Sequence, residues 1–245
     1  MDIRIHYSGS VGNLYRADDI LLEAGVSIKK IKQALNFRLS EIRACLISHE
    51  HMDHASAVKD LMKAGIDCYM SRGTAEELQV LGHHRIHILE DKVQEIIGNW
   101  KVMPFATAHD SAEPLGFLLA KGDEKLLFVI DSNYVPHRIN GLTHILIGVD
   151  FDVEILKEHV INGTIHISLA NRILKNHMSI QTAGEFFRIN DMSKVQEIYM
   201  LHLSSINSDP EQFRDAIETI TGRPVSLPVR GRGLNLQRLR SGGAW

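Results

Sequence analysis

Short apolar runs with the period of a β-strand alternate along this chain with stretches whose apolar positions recur at helical spacing. Strands are predicted at residues 3–7, in a second short strand ending at Leu21 and Leu22, and at residues 44–48, 67–71, 116–120, 126–130, 142–149 and 197–203. Helices are predicted at residues 27–37, 57–65, 154–160, 179–189 and 209–220. This alternation is typical of a layered α/β domain and excludes a helical bundle and an all-β sandwich.

Turn residues between these runs indicate how neighbouring elements connect. The Gly- and Ser-rich segment Ser8-Gly9-Ser10-Val11-Gly12-Asn13 follows the first strand and predicts a tight turn in a hairpin. A turn containing Gly122 predicts a second hairpin. The helix at 57–65 between strands 44–48 and 67–71 forms a βαβ-like step. Since no low-complexity linker interrupts the pattern, we expect one domain over residues 1–245.

Composition narrows the classes of function. Lys and Arg number 27 against 30 Asp and Glu, a net charge of −3, so no global positive field attracts nucleic acid or anionic lipid. No apolar run reaches the ~18 residues of a membrane span, and the first residues lack the apolar stretch of a signal peptide. The two cysteines lie in apolar runs and indicate a reducing compartment, so the expected location is the cytoplasm. Histidine is abundant, at 14 against 8 Phe, which favours metal chemistry.

A dense group of possible metal ligands follows the predicted strand 44–48. Its order is His49-Glu50-His51-Met52-Asp53-His54. The first two histidines can face one ion while the Asp and the last His face a second, and imidazole with carboxylate suits zinc or manganese. The alternative is a solvated polar loop without metal.

The segment resembles the metallo-β-lactamase superfamily, whose signature His-x-His-x-Asp-His is matched in full by His49, His51, Asp53 and His54. The resemblance implies an α/β fold, an αββα sandwich with metals at one edge of two facing sheets. It also implies a ligand set for two divalent ions, zinc first and manganese as the alternative: His49, His51 and His109 for one ion, Asp53, His54 and His202 for the other, and Asp131 between them.

The resemblance further implies hydrolysis, because a redox di-iron member would usually carry Glu where His51 stands. Asp53 is assigned a catalytic role besides its place in the ligand set. Glu23 stands where many relatives have Asp, at a position expected to support the site without binding an ion.

A second motif narrows the branch of the superfamily. Asn176-His177-Met178-Ser179 is similar to the His-x-Ser segment of the phosphodiesterase arm: tRNA-maturation endonucleases, single-domain exonucleases and phage anti-Pycsar cyclic-nucleotide phosphodiesterases. We expect His177 to be the general acid that protonates a leaving alkoxide. The alternative is that it only packs against or caps the helix at Ser179. The family's orienting Glu is absent, so Asp150 or Asp152 is expected to take its role.

The expected substrate is a small anionic nucleotide, a 3′,5′-cyclic mononucleotide, whose hydrolysis would counter cyclic-nucleotide defence signalling. The lack of an extended basic track favours it over the alternative, a DNA or RNA nuclease of the same fold. A metal-stabilised binding protein without turnover is the third alternative. Five arginines near the end of the chain form either a phosphate-binding patch or a solvated tail: Arg223, Arg230, Arg232, Arg238 and Arg240. A homodimer is expected because a chain this short needs additional walls around a small pocket.

Overall fold

The fold, seen in a computed structural model that describes residues 1–228, is built on two β-sheets. The first sheet has its strands in chain order: β1 (Ile3–Tyr7), β2 (Leu14–Ala17), β3 (Ile20–Leu22), β4 (Ala44–Leu46), β5 (Asp67–Met70) and β6 (Ile86–Ile88). The second also follows chain order: β7 (Glu95–Ile97), β8 (Trp100–Ala106), β9 (Leu115–Lys121), β10 (Glu124–Val129), β11 (His144–Gly148), β12 (Glu197–Leu201) and β13 (Val225–Ser226). Strands β3 to β6 and strands β10 to β13 pair in parallel, and the other pairs are antiparallel.

Helices connect the strands and cover the outer faces of both sheets. They are α1 (Ile28–Ala34), α2 (Met52–Ala55), α3 (Val58–Lys63), α4 (Arg72–Glu77), α5 (Val153–Ile161), α6 (Ile167–Asn176), α7 (Ile180–Ile189) and α8 (Pro210–Thr221), with a short 3-10 turn at Leu39–Glu41. Asp209 caps α8 by accepting from the Gln212 N–H, and Gly222 ends it in the left-handed conformation.

Three apolar layers hold the sandwich together. Between the sheets, Tyr15 of β2 packs on Phe128 of β10 with ring centroids 5.7 Å apart. Phe117, paired with Phe128 on the neighbouring strand β9, stacks beside it at 6.3 Å. The outer face of the first sheet packs against α1 to α4, and that of the second sheet against α7 and α8. The order helix, sheet, sheet, helix confirms the expected αββα architecture.

Some predicted boundaries need correction. The stretch expected to be one strand ending at Leu22 is two strands, β2 and β3, because the chain turns at Asp18, where φ is +49°. Strands 44–48 and 197–203 end earlier than expected, at Leu46 and Leu201, since the chain leaves each sheet to build the loops beyond. The helix predicted to reach residue 37 ends at Ala34, and Phe37 is exposed with a positive φ. The predicted hairpin of β9 and β10 and the parallel pairing of β4 with β5 are confirmed.

None of the helices in residues 1–228 combines the length and apolar character needed to span a bilayer. Most of the arginine-rich segment, from Arg230 to Arg240, lies outside the described residues.

The stack between the sheets generates a stability prediction. Replacing the fully buried Phe117 with alanine removes the ring that fills the gap beside Phe128. Phe117→Ala is expected to lower the free energy of unfolding by about 3–5 kcal/mol, measured by urea titration. The matched control is Ile96→Ala, on the exposed side of an edge strand, which should change it by less than about 0.5 kcal/mol. A Phe117→Ala loss as small as the control's would contradict this account of the core.

Candidate metal centre

The candidate site lies at the edge where the parallel strands end, and its ionisable side chains follow those strands directly. His49 and His51 follow β4, and α2 begins in the same segment. Asp131 follows β10, Asp150 follows β11 and His202 follows β12. Because parallel strands end at the same edge of a sheet, residues far apart in sequence meet there. The seven predicted ligands all belong to donor groups with atoms within 4.8 Å of one another: His49, His51 and His109; Asp53, His54 and His202; and His49, His54 and Asp131.

The first group consists of three imidazoles facing one point. The Nδ1 atom of His51 lies 3.1 Å from Nε2 of His49 and 3.3 Å from Nε2 of His109. The outward nitrogens of two of these rings are held from behind. His49 Nδ1 lies 2.8 Å from the Ser48 hydroxyl, and His109 Nδ1 is 3.1 Å from the Asn176 carbonyl oxygen, to which it can donate. These contacts leave both Nε2 atoms directed inward.

The second group places a carboxylate between two imidazoles. Oδ2 of Asp53 lies 3.3 Å from His54 Nε2 and 3.7 Å from His202 Nε2. Asp131 stands between the two groups, with Oδ2 3.3 Å from His54 Nε2 and 3.6 Å from His109 Nε2. Asp131 therefore lies within 3.6 Å of one nitrogen from each group.

The protonation of the centre follows from burial and from these close charges. Burial lowers the pKa of His49 well below its usual value, so that ring is a neutral donor. Burial also disfavours the charged form of Asp131, but the charges of His202 and His54 outweigh it and hold the pKa of the carboxyl well below its usual range. Conversely, burial opposes protonation of His54, while Asp131 raises its pKa well above the usual value. A divalent cation takes the place of such protons when it binds.

The donor set fits a divalent transition-metal ion. Corners of a tetrahedron ~2.0–2.1 Å from zinc lie about 3.3–3.4 Å apart, and the nitrogens of the three-histidine group are separated by similar distances. Two inward-facing atoms, His202 Nε2 and Asp131 Oδ1, are buried without a hydrogen-bond partner within the described part of the chain. Buried polar atoms of this kind are normally satisfied, and an ion between the groups would satisfy them.

His177 and Asp150 lie beside the centre. Oδ1 of Asp150 is 3.1 Å from His177 Nδ1 and 2.7 Å from His202 Nδ1, so one carboxylate oxygen lies close to two imidazoles. Burial alone would lower the pKa of His177, but the charge of Asp150 raises it above the usual value. Asp152 is not involved, because its side chain caps α5. Ser179 caps α7 through its own hydroxyl, so His177 does not cap that helix.

The Gly- and Ser-rich turn contacts two of the predicted ligands, His202 and His54, which was not predicted from the sequence. The Ser8 hydroxyl accepts from the backbone N–H of His202 at 3.0 Å, across 194 positions of the chain. His202 has a φ of +56°, a conformation that a residue with a side chain adopts only when its surroundings hold it there. Asn13 lies 3.2 Å from His54 Nε2. The only sequence signal for these roles was the Ser-Gly-Ser-x-Gly-Asn pattern itself.

Glu23 lies behind the second group, as expected. Its carboxylate is fully buried, with Oε2 3.7 Å from His54 Nδ1, and the Ser48 N–H points to it. Burial raises the pKa of Glu23, and contacts with His54 and Ser48 oppose that rise.

An open cleft of about 510 Å³ adjoins His177 and His202. One wall is the turn carrying Ser8 and Val11, and the opposite wall follows β12 and includes Ser204. The centre is therefore accessible from one side to a ligand of nucleotide size.

Comparisons with known proteins agree with this geometry. The sequence profile described as the Beta-lactamase superfamily domain matches residues 19–202. The exodeoxyribonuclease WalJ of Streptococcus pneumoniae serotype 2 (strain D39 / NCTC 7466) is 31% identical over 224 residues, covering 83% of this chain and 82% of the relative. The exodeoxyribonuclease YycJ of Bacillus anthracis is 27% identical over 232 residues, covering 87% and 86%.

The fold is also found among solved structures. The metallo-beta-lactamase fold protein YhfI from Bacillus subtilis superposes with a TM-score of 0.69 at 15% identity, covering 95% of this chain and 98% of that one. The profile spans most of the chain and contains all seven predicted ligands, the last of which, His202, is its final matched residue. The chain therefore belongs to the β-lactamase superfamily, as a metal-dependent hydrolase with the metallo-β-lactamase fold.

Proposed function

We propose that this protein is a two-metal nuclease that hydrolyses phosphodiester bonds in DNA. One observation carries the proposal: Asp131 Oδ2 lies within 3.6 Å of a nitrogen in each of two groups of possible metal donors, and beside them the Nδ1 of His177 is 3.1 Å from Asp150. Relatives named exodeoxyribonucleases, which this chain matches over 82% and 86% of their lengths, support DNA as the substrate.

The proposed ligands are those predicted from the sequence. His49, His51 and His109 would hold one ion and Asp53, His54 and His202 the other, with Asp131 between them. Imidazole and carboxylate donors suit zinc, with manganese as the alternative. Two bound ions would supply an activated water and stabilise charge on the attacked phosphate.

The protein's own groups handle the leaving group. Nδ1 of His177 lies 3.1 Å from an Asp150 oxygen, and we assign the other ring nitrogen to protonate the departing sugar oxygen. The charge of Asp150 favours the protonated form of that imidazole, because it raises the pKa of His177 against the opposing effect of burial. We also propose a catalytic role for Asp53, whose carboxylate lies 3.7 Å from His202 Nε2 and is partly open to solvent.

The relatives, which are named exodeoxyribonucleases, favour a nuclease over the expected cyclic-nucleotide phosphodiesterase. An enzyme that works from the end of a strand engages few phosphates at once, so a net charge of −3 is a smaller obstacle than for one that grips a long duplex. A homodimer and a phosphate-binding role for the arginine-rich segment, most of which lies outside the described residues, stay predictions.

The first test is a comparison of substrates. The metal-loaded protein is expected to degrade single-stranded or duplex DNA to mononucleotides and to leave 3′,5′-cyclic mononucleotides intact, as followed by chromatography of the products. The rate on DNA should fall as salt is raised, since phosphate contacts release counterions. Asp131→Asn, assayed alongside, should be inactive because it weakens the shared ligand. Hydrolysis of a cyclic nucleotide by a protein that leaves all DNA intact would refute the nuclease proposal.

The second test addresses the general acid. His177→Ala should slow hydrolysis of DNA, whose leaving group is a sugar hydroxyl, by about 10²–10⁴-fold. A p-nitrophenyl diester should suffer far less, because nitrophenolate leaves without a proton.

Metal content measured on the same preparations makes this result specific. It should be unchanged in His177→Ala, and His84→Ala, on an exposed loop, should behave as the wild type. Equal losses on both substrates, or loss of metal, would rule out the general-acid role.

A further inference from the structure

We propose that the cleft beside His177 is a nucleoside-binding subsite, and that Val11 provides the apolar surface against which the base of the strand's terminal nucleotide packs. The inference rests on the proposed nuclease function and names the part of the substrate that enters this cleft.

The size and chemistry of the cleft favour a nucleoside over a further phosphate. Its volume, about 510 Å³, lies within the ~300–1,000 Å³ usual for small-ligand pockets. None of the described residues that line it is Lys or Arg, and its two histidines, His177 and His202, are already assigned to the leaving group and the metal centre, so no further cation is offered to a second phosphate. The lining instead combines the hydroxyls of Ser8, Ser10 and Ser204 with the apolar side chains of Val11, Ile173 and Leu203. Hydroxyls next to apolar side chains suit a sugar and a base.

Val11 is the unusual residue of this lining. Its side chain is 85% exposed, although valine is normally buried, and it lies at the apex of the turn. An isolated exposed valine needs no explanation, but this one stands at the mouth of a cleft that leads to the general acid.

The turn holds Val11 in a fixed position relative to the metal centre. The Gly12 N–H donates to the Gly9 carbonyl at 2.9 Å, and the Asn13 N–H donates to the Asp53 carbonyl at 2.8 Å. Gly12, with a φ of +136°, packs so tightly that an added Cβ would lie 2.4 Å from the Gly25 oxygen. The apolar wall and the reacting centre are therefore parts of one rigid unit.

A terminal nucleoside is favoured over an internal one. A strand passing through the cleft would place a phosphate on each side of the nucleoside, and the metal centre with His177 accounts for one of them. The described lining contains no Lys or Arg to compensate the other. The subsite therefore fits the uncharged end of a strand, with its first phosphodiester at the centre.

The test compares three chromogenic diesters that carry the same single negative charge. Two contain a nucleoside, the p-nitrophenyl esters of thymidine 5′-monophosphate and of thymidine 3′-monophosphate, and the third, bis(p-nitrophenyl) phosphate, has none. The quantity measured is the ratio of kcat/KM for each nucleoside ester to kcat/KM for the third diester. Because the charges are equal, an added carboxylate repels all three alike, and the ratio isolates the contact with the nucleoside.

Val11→Asp is expected to lower this ratio about tenfold for at least one of the two nucleoside esters, chiefly through KM. The ester affected shows which end of the strand enters the cleft. Val11→Ile, which keeps the apolar surface, should hold the ratio within about twofold. Ile96→Asp, which adds the same charge on an exposed edge strand far along the chain from the turn, should leave both ratios and all three rates unchanged.

A ratio in Val11→Asp that stays within about twofold of wild type for both nucleoside esters would overturn the subsite, as would an equal loss in Val11→Ile. The nuclease proposal is tested separately, because none of these three probes is DNA. A wild-type protein that leaves DNA intact would contradict the nuclease proposal, whatever ratios the three diesters give.

Discussion

The buried carboxylate of Asp131, held among the imidazoles of His49, His54, His109 and His202, is the constraint on which the site depends. A carboxylate is costly to bury, and these four rings, contributed by three separate parts of the chain, each place a nitrogen within 3.8 Å of its oxygens. The αββα sandwich makes this convergence possible, because parallel strands of both sheets end at one edge. The two sheets are packed together by apolar side chains, among them Tyr15 of β2 against Phe128 of β10.

Much of the remaining structure near the edge serves to aim these rings. Ser48, Asn176 and Asp150 each lie against the outward nitrogen of a ring whose other nitrogen faces the centre. Ser8 holds the backbone of His202 in its unfavourable conformation. Asp150 couples the centre to the acid, since the same oxygen contacts both His202 and His177. The Gly- and Ser-rich turn belongs to this support and also forms a wall of the cleft, so substrate and metal sites share one scaffold.

Sequence alone predicted the layered fold, and it named candidate ligands that the structure brings together, because both rest on local signals or on a recognisable order. His49 to His54 lie within six positions, and apolar periodicity places the strands that precede Asp131 and His202. It did not distinguish Asp150 from Asp152, since both follow the same strand. The choice depends on the start of α5, where Asp152 is used as the cap. The contact of Ser8 with His202 spans 194 positions and leaves no periodic trace. Helix α6 was not predicted, because most of its apolar residues are exposed.

The central claim is that these donors bind a pair of ions with Asp131 between them. Anomalous diffraction from crystals of the zinc- or manganese-loaded protein tests it most directly. The account predicts two peaks about 3.5–4 Å apart, one within bonding distance of His49, His51 and His109, the other of Asp53, His54 and His202, and both of Asp131. A single peak at full loading, or peaks outside this cluster, would contradict it.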